Sequence, residues 1–281
     1  MSFFTCTRDW VAVLSFLLLS GLGGLRAQTT AVEEPASPRT TWEDPESFAW
    51  FNTYGRIRLS ERFYWIAQTH FRFHQSDRLA YLGQPAQLYN RHALAYRPNP
   101  NMLISAGGVL RLNFNQDEVP DDEFRTIPEW RLWHEYLFCQ PLERFKLYHR
   151  IRLEHRWTRG FHRGLADWTY RNRYRYLIGA KVPLNKTKLK PGALYLAPEA
   201  ELIMQSGQTV VDSPLEDLRL TTTLGYVVSP QLTLAAGFMY SFGQDLKDGT
   251  VWKQKQTLRV HMYFSPDWRR PRARLAEVVN E

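Results

Sequence analysis

From residue 48 onward, apolar side chains recur at every second position, in long runs separated by turn residues. The run 231–243 shows this best, with leucine, alanine or aromatic residues at every even position. A period of two predicts a β-strand with one apolar face. Most runs exceed the ~5–6 residues usual in globular proteins. They also reach the ~9–11 residues that a tilted strand needs to cross a bilayer. The predicted strands are 48–59, 62–74, 87–96, 102–114, 127–139, 144–157, 168–182, 193–205, 217–228, 231–243 and 251–264.

The connections between these strands alternate between short and long, and only 183–191 departs from the scheme. Outer-membrane barrels share this asymmetry, with short periplasmic turns and longer outer loops. We therefore predict an all-β fold, an antiparallel outer-membrane-type β-barrel of about 10–12 long strands. The predicted short connections are Leu59–Arg62, Arg97–Asn101, Gln140–Glu143 and Ser229–Gln231, and the long ones are Gln75–Ala86, Asn115–Thr126, Arg159–Asp167 and Ser206–Glu216.

The chain is rich in aromatic residues, with 10 Trp, 14 Tyr and 16 Phe. Many of the rings lie on the apolar face near the strand ends, for example Trp130 with Phe138 and Phe145 with Trp157. Rings at two levels are typical of a barrel in lipid. The alternative is a soluble exported β-sandwich or calycin-like barrel that buries the apolar face internally.

The chain divides into four predicted segments. Residues 1–27 have the charged start, short apolar core and small-residue end of a signal peptide. Residues 28–47 are expected to form a flexible N-terminal arm, 48–265 the barrel domain and 266–281 a basic C-terminal tail. After removal of the signal, Cys139 is the only cysteine, so no intramolecular disulfide can form.

An odd number of strands is a difficulty, because bacterial single-chain barrels have even counts. Three solutions are open. Residues 28–47 contain a further strand, or 48–59 is not an ordinary member and ten strands close, or the N-terminal arm fills the lumen as a plug.

The opposite face of the strands carries many more basic than acidic side chains. Same-face neighbours on a strand lie ~7 Å apart. Two like charges at that distance repel by about 2.4 kcal/mol at an effective dielectric constant of 20. We therefore expect either a narrow lumen with Arg–Glu ladders, whose charges are structural, or a wetter lumen that prefers anions. The predicted lumen charge cluster is Arg131, Glu135, Arg150, Arg152, Glu154, Arg156, Arg171, Arg173, Arg175, Glu199 and Glu201.

The connection after 144–157 contains Arg159 and Arg163. If this loop is extracellular, it faces the phosphates of lipopolysaccharide, and arginine suits bidentate phosphate contact. The two arginines are predicted anion contacts.

Catalytic and metal motifs are absent, and we assign no catalytic residue, metal or cofactor. His70 and His74 lie ~13 Å apart on one strand, too far to share an ion. The lumen-facing His70, His74 and His261 with a serine such as Ser105 are candidates for a lipid-modifying enzyme, but their spacing gives no support.

Four polar residues fall on the predicted lipid face: Asn90, His92, His149 and Asn172. Polar side chains are costly at mid-membrane. Either these residues argue against a membrane location, or they mark local register shifts or positions at the depth of the membrane interface.

The arginine-rich stretches 150–157 (RIRLEHRW) and 171–176 (RNRYRY) resemble the exported domain-of-unknown-function family 2490. So do 182–184 (VPL), 191–195 (PGALY) and the opening 48–51 (FAWF). The resemblance implies an outer-membrane-like β-barrel and brings no activity or catalytic residue with it.

The sequence thus predicts a monomeric outer-membrane β-barrel of a Gram-negative cell, with a charged lumen and no assigned activity. Expected partners are outer-membrane lipid, the barrel assembly machinery and lipopolysaccharide phosphates, and nucleic acid is disfavoured by export. The alternatives are an anion-preferring channel, a barrel-type lipid-modifying enzyme and a soluble periplasmic β-protein.

Overall fold

The computed structural model describes residues 40–114, 126–159, 168–207, 210, 213–245 and 248–269. Predicted features within 1–39 and in the remaining gaps lie outside the described residues. The strands are β1 (Thr41–Trp42), β2 (Glu46–Arg58), β3 (Phe63–Ser76), β4 (Leu79–Asn99), β5 (Met102–Phe114), β6 (Thr126–Pro141), β7 (Lys146–Arg159), β8 (Trp168–Pro183), β9 (Leu194–Ser206), β10 (Leu215–Ser229), β11 (Leu232–Gln244) and β12 (Val251–Phe264).

The eleven long strands of the described chain, β2 to β12, close into one barrel. Each strand pairs antiparallel with the next, and β12 then pairs with β2 in parallel. This closing seam runs from Lys255 beside Glu46 to Phe264 beside Gly55. The prediction of an all-β barrel of about 10–12 strands is confirmed, with one parallel pair in place of a wholly antiparallel ring.

The parallel seam follows from the odd number of strands. In a ring whose neighbours are all antiparallel, strand direction alternates, so the number must be even. Eleven strands leave the first and the last pointing the same way. Residues 48–59 form an ordinary member, β2, so the solution in which ten strands close is wrong. The described part of 28–47 contains a strand, β1, but it adds no member to the barrel and only extends the seam by pairing Thr41–Trp42 with Val251 and Trp252. The solution in which the N-terminal arm fills the lumen falls mainly on residues outside the described ranges.

The barrel has two different ends. At the turn end, β2–β3, β4–β5, β6–β7 and β10–β11 are joined by the short connections that the sequence predicts. At the loop end lie the ends of β5, β7, β9 and β11, with the start of β2. The chain therefore enters the barrel at the loop end and leaves it at the turn end, after Phe264.

One long loop was wrongly predicted. Residues 75–86 continue the β3–β4 hairpin, which turns at Asp77 and Arg78. The period of two is lost there because the pairing shifts register between Arg72 and Phe73 and again between His74 and Ser76, and Tyr81 has a φ of 64°. Such irregularities move side chains off the alternating faces, so the sequence pattern hides the strands.

The alternation places small, polar and charged side chains inside and large apolar ones outside. Leu224, for example, is 47% exposed on the outer face of β10, whereas its neighbour Thr223 is buried. Ten of the eleven long strands carry large apolar side chains with at least a third of their surface exposed, and on β5 the outward Leu110 and Leu112 are half-buried. The outer surface is thus apolar around the whole barrel.

The segment 184–193 covers part of the turn end. Leu189 packs against a buried cluster that contains Tyr195 and Val227 on the inner faces of β9 and β10. Gly192 adopts a φ of 79°, and its N–H donates to the carbonyl of Val227. The connection that blurred the sequence pattern is therefore folded against the lumen.

The chain after β12 is fastened to the turn end. Arg58 N–H donates to the carbonyl of Pro266, and Trp268 N–H donates back to the carbonyl of Arg58, each at 2.9 Å. The ring of Trp268 lies 5.9 Å from that of Trp65. We call Pro266 to Arg269 the clasp. No helix in the described ranges is long and apolar enough to span a membrane.

Candidate functional site

The interior of the barrel is the candidate site, because most buried charge of the described chain lies there. The inward positions of β6 to β9 carry all eleven residues of the predicted cluster, in cross-strand rows. In one row Arg131 pairs with Arg156 and Arg156 with Arg171; in the next Glu154 pairs with Arg173. The alternation of faces along each strand and the register between strands thus place acidic side chains next to the arginines.

Glu154 is the centre of this network. Its side chain is completely buried and lies within 4 Å of guanidinium nitrogens from five arginines. They come from β4, β6, β7 and β8, so the ion pairs cross the lumen as well as the sheet. The nitrogen–oxygen distances are 2.7 Å to Arg131, 3.1 Å to Arg175, 3.5 Å to Arg173, 3.7 Å to Arg91 and 3.8 Å to Arg152.

Glu129 is a second centre, nearer the loop end. It pairs with Arg131 and with Arg156, whose Nη2 lies 3.1 Å from Oε2. Thr158 donates its hydroxyl to the same carboxylate at 2.9 Å, and Arg111 Nη1 lies 3.5 Å away. Glu129 is thus enclosed by donors, as a buried carboxylate requires.

A third group lies toward the turn end. Glu201 accepts from Arg175 Nη2 at 2.7 Å and from Arg150 Nη2 at 2.6 Å. Glu135 pairs with Arg152. Glu199, predicted to join the ladder, instead accepts from the Tyr148 hydroxyl.

Two acids that contribute to the network were missing from the predicted cluster. Glu216 pairs with Arg173 and Arg156, and Asp217 pairs with Arg219 at 2.5 Å. The sequence predicts that Glu216 lies in a long loop, and this is wrong, because β10 begins one residue before it. Strand ends are poorly marked by periodicity, and a register shift between Leu215 and Asp217 breaks the alternation of faces at this point.

Inward aromatic rings contact arginines of the lumen, including Arg72, which has no carboxylate oxygen within 4 Å among the described residues. The guanidinium of Arg72 lies 3.7 Å from the ring centre of Trp50 and 4.3 Å from that of Tyr89. Arg91 and Arg152 lie 5.2 Å and 5.0 Å from the ring of Trp133. Cation–π contacts of this kind contribute ~0.5–2 kcal/mol each.

The cavities along the lumen of the described chain include one toward the loop end and one toward the turn end. The loop-end cavity, about 480 Å³, is lined by eleven basic and four acidic side chains. The turn-end cavity, about 290 Å³, is lined by eleven basic and three acidic ones. Both are therefore strongly cationic. The residues that line both cavities, and so mark their boundary, are Trp50, Arg72, Arg91, Arg175 and Arg219.

The remaining predicted positions are placed as follows. Arg159 lies exposed at the loop end of β7, and Arg163 lies outside the described residues. Ser105 and His70 are both buried, on β5 and β3 with β4 between them. In the described ranges no three His, Cys, Asp or Glu side chains converge to hold a metal ion.

The fold and its interior define a class: a closed β-barrel with an apolar exterior and an ion-paired, cationic lumen. The family model of a protein of unknown function, DUF2490, matches residues 48–251, and the chain belongs to this family. No curated protein matches the chain. The resemblance in the arginine-rich strands is thereby confirmed.

Proposed function

We propose that this protein is an integral outer-membrane β-barrel whose lumen is closed by ion pairs. The observation that carries the proposal is the apolar outer face that runs around the barrel, with the charges inside. The largest apolar patch on a soluble monomer is typically ~300–600 Å² and local. An apolar face around the whole barrel is favourable where it contacts lipid acyl chains.

The spacing of the outward aromatic rings along the strands agrees with the thickness of an ordinary outer membrane. Trp130 and Phe138 are eight residues apart on β6, or about 27 Å along a strand. Phe145 and Trp157 are twelve residues apart, or about 41 Å. With a tilt of ~40°, these spans become about 21 Å and 31 Å in height and bracket the ~25 Å apolar band of outer-membrane barrels.

Of the four polar residues predicted on the lipid face, Asn172 and His149 lie near the barrel ends, whereas Asn90 and His92 lie exposed near the middle of β4 and count against the proposal. His155 Nδ1 lies 2.8 Å from Asn172 Oδ1, which also accepts from the Tyr170 hydroxyl at 2.7 Å, all within five residues of the loop end. His149 Nδ1 lies 2.8 Å from the Tyr176 hydroxyl, close to the turn end. These side chains satisfy one another at interface depth, where water also reaches.

An anion-preferring channel is the second candidate, favoured by the excess of basic side chains in both cavities. The buried network around Glu154 argues for a closed lumen. Planar-bilayer recordings separate the two candidates: the leading proposal expects no steady conductance above the lipid baseline, and the channel expects steps with anion over cation selectivity.

As partners we propose outer-membrane lipid, the assembly machinery that inserts barrels and, at the loop end, lipopolysaccharide phosphates, with a monomer as the functional unit. Arg159 lies at that end.

Membrane fractionation tests the location. The protein is expected in the outer-membrane fraction, resistant to carbonate washing and extracted only by detergent. Recovery in the periplasmic fraction without detergent would contradict the proposal and favour a soluble β-protein. A known periplasmic protein and a known outer-membrane barrel from the same cells are the controls.

A further inference from the structure

The turn-end cavity has more basic side chains than its carboxylates can pair with. Of its three acids, Glu135 and Glu201 are already paired with arginines, and Glu199 accepts from Tyr148. Five of its basic side chains have no carboxylate oxygen within 4 Å among the described residues: Arg56, Arg72, Lys146, Lys181 and Arg259.

This charge is most concentrated around Trp50. Three guanidinium groups lie within 6 Å of the centre of the Trp50 ring. The distances are 3.7 Å for Arg72, 5.7 Å for Arg219 and 5.8 Å for Arg259. Arg259 donates to the Thr221 hydroxyl at 3.4 Å and hydrogen-bonds Tyr54, and among the described residues the carboxylate of Glu199 acts on it only from beyond 4 Å. Arg219 is paired with Asp217, but Arg72 and Arg259 have no carboxylate oxygen within 4 Å among the described residues, and an anion beside the ring would lower their repulsion.

Several hydrogen-bond donors at this point lack acceptors. Trp50 is only 9% exposed, and its indole N–H is buried without an acceptor. The Nε atoms of Arg72, Arg219 and Arg259 are in the same state. A buried unsatisfied donor costs ~1–3 kcal/mol. These unsatisfied donors, three of which belong to cationic groups, are suited to the acceptor oxygens of an anion.

We propose that the turn-end cavity binds a small free oxyanion, of the phosphate or carboxylate class, beside Trp50. Arg72 and Arg259 supply the charge, and the indole N–H of Trp50 supplies a further donor. Planar guanidinium groups pair well with such oxyanions. At about 290 Å³, the cavity lies at the lower end of the range for ligand pockets. A metal cation is disfavoured by the surrounding positive charge.

Isothermal titration of the purified full chain in detergent tests this site, with inorganic phosphate and acetate as separate probes in chloride buffer. We expect saturable binding of one anion per chain that weakens as the chloride concentration rises. Tighter binding of phosphate assigns the phosphate class, and tighter binding of acetate assigns the carboxylate class.

Two variants and one control locate the anion. Arg259→Gln is expected to weaken binding at least tenfold. Trp50→Phe keeps an aromatic ring for the arginines and removes the N–H, and about fivefold weaker binding is expected, equal to ~1 kcal/mol. Lys253→Gln, in the loop-end cavity and paired with Asp245, is expected to bind as the wild type does.

Failure to observe saturable binding of either probe would overturn the proposal. Equal weakening by Lys253→Gln and Arg259→Gln would overturn it too, because it would indicate a general charge effect. Trp50→Phe keeps the test valid if Arg259→Gln does not fold. The inference does not depend on membrane location, since binding and fractionation are measured separately.

Discussion

Arg131 donates from Nη1 to Glu154 Oε2 at 2.7 Å across β6 and β7, and the side chains of both residues are at most 1% exposed. Neither ion is solvated, so each depends on protein partners. A buried pair of this kind gives little net stability over a well-packed apolar pair, but breaking it is costly because one charge is left without compensation. Because five arginines share Glu154, this carboxylate is the most sensitive point of the lumen.

We predict that Glu154→Gln lowers the free energy of unfolding by about 3–5 kcal/mol. The side chain keeps its size but no longer compensates the surrounding guanidinium groups. Urea unfolding of the barrel in detergent or lipid measures the change. Glu43→Gln is the control, because Glu43 is half-exposed and 3.9 Å from Lys253, and a change below about 1 kcal/mol is expected. Similar values for the two variants would refute a central role for Glu154.

Leu224→Arg tests the outer face. Leu224 is 47% exposed near the middle of β10, so in a membrane the arginine would lie among acyl chains. In lipid vesicles we expect a loss of about 2–4 kcal/mol in the free energy of unfolding. Leu79→Arg makes the same change at a position that is 54% exposed at the tip of the β3–β4 hairpin, and about 0–1 kcal/mol is expected there. If both changes were near zero, the outer face would not be a lipid face.

The sequence predicts the strands and their faces well, because a period of two is a local property. Leu224 and Thr223 take opposite faces whatever lies beside them. Identification of Glu154 as the centre of the network requires more than this, since Arg91 reaches it from β4, two strands beyond its neighbour β6. The distance between Arg91 and Glu154 depends on how the barrel closes and on the width of its lumen. The sequence of a single strand determines neither.

The closing seam was also beyond the sequence pattern. Strand count alone leaves open how an odd number closes, and the parallel pairing of Arg259 with Trp50 decides it. This same pairing brings a cationic and an aromatic side chain together at the turn-end cavity. The sequence pattern does not predict that Arg259 and Trp50 are neighbours, because they are more than two hundred positions apart.

The clasp is predicted to open in acid. Arg269 donates to Asp267 from Nη2 at 2.7 Å, and these hydrogen bonds hold the pKa of Asp267 at about 2, below the ordinary 3.8. A lowered carboxyl pKa stabilises the clasp above about pH 4, and that contribution is lost as the pH falls through about 2.

Tryptophan fluorescence measures this opening, because Trp268 of the clasp lies against Trp65. We expect a change between about pH 4 and pH 2 that is absent in Trp268→Phe. Asp267→Asn cannot titrate and is expected to have an open clasp at every pH. A wild-type transition that persisted unchanged in Asp267→Asn would show that another group controls it.

The odd strand number makes a prediction about sidedness in the membrane. Because β2 and β12 are parallel, Thr40 before β2 lies at the loop end with Asp77, and Ser265 directly after β12 lies at the turn end. In an even, wholly antiparallel barrel, the first strand would instead start at the end where the last one finishes. Single cysteines at these three exposed positions, in a Cys139→Ser background, report the difference through an impermeant maleimide applied to sealed membranes. Thr40→Cys and Asp77→Cys are expected to react from one side, and Ser265→Cys only from the other. Reaction of Thr40→Cys and Ser265→Cys from the same side would contradict the parallel seam, and the Cys139→Ser parent measures background labelling.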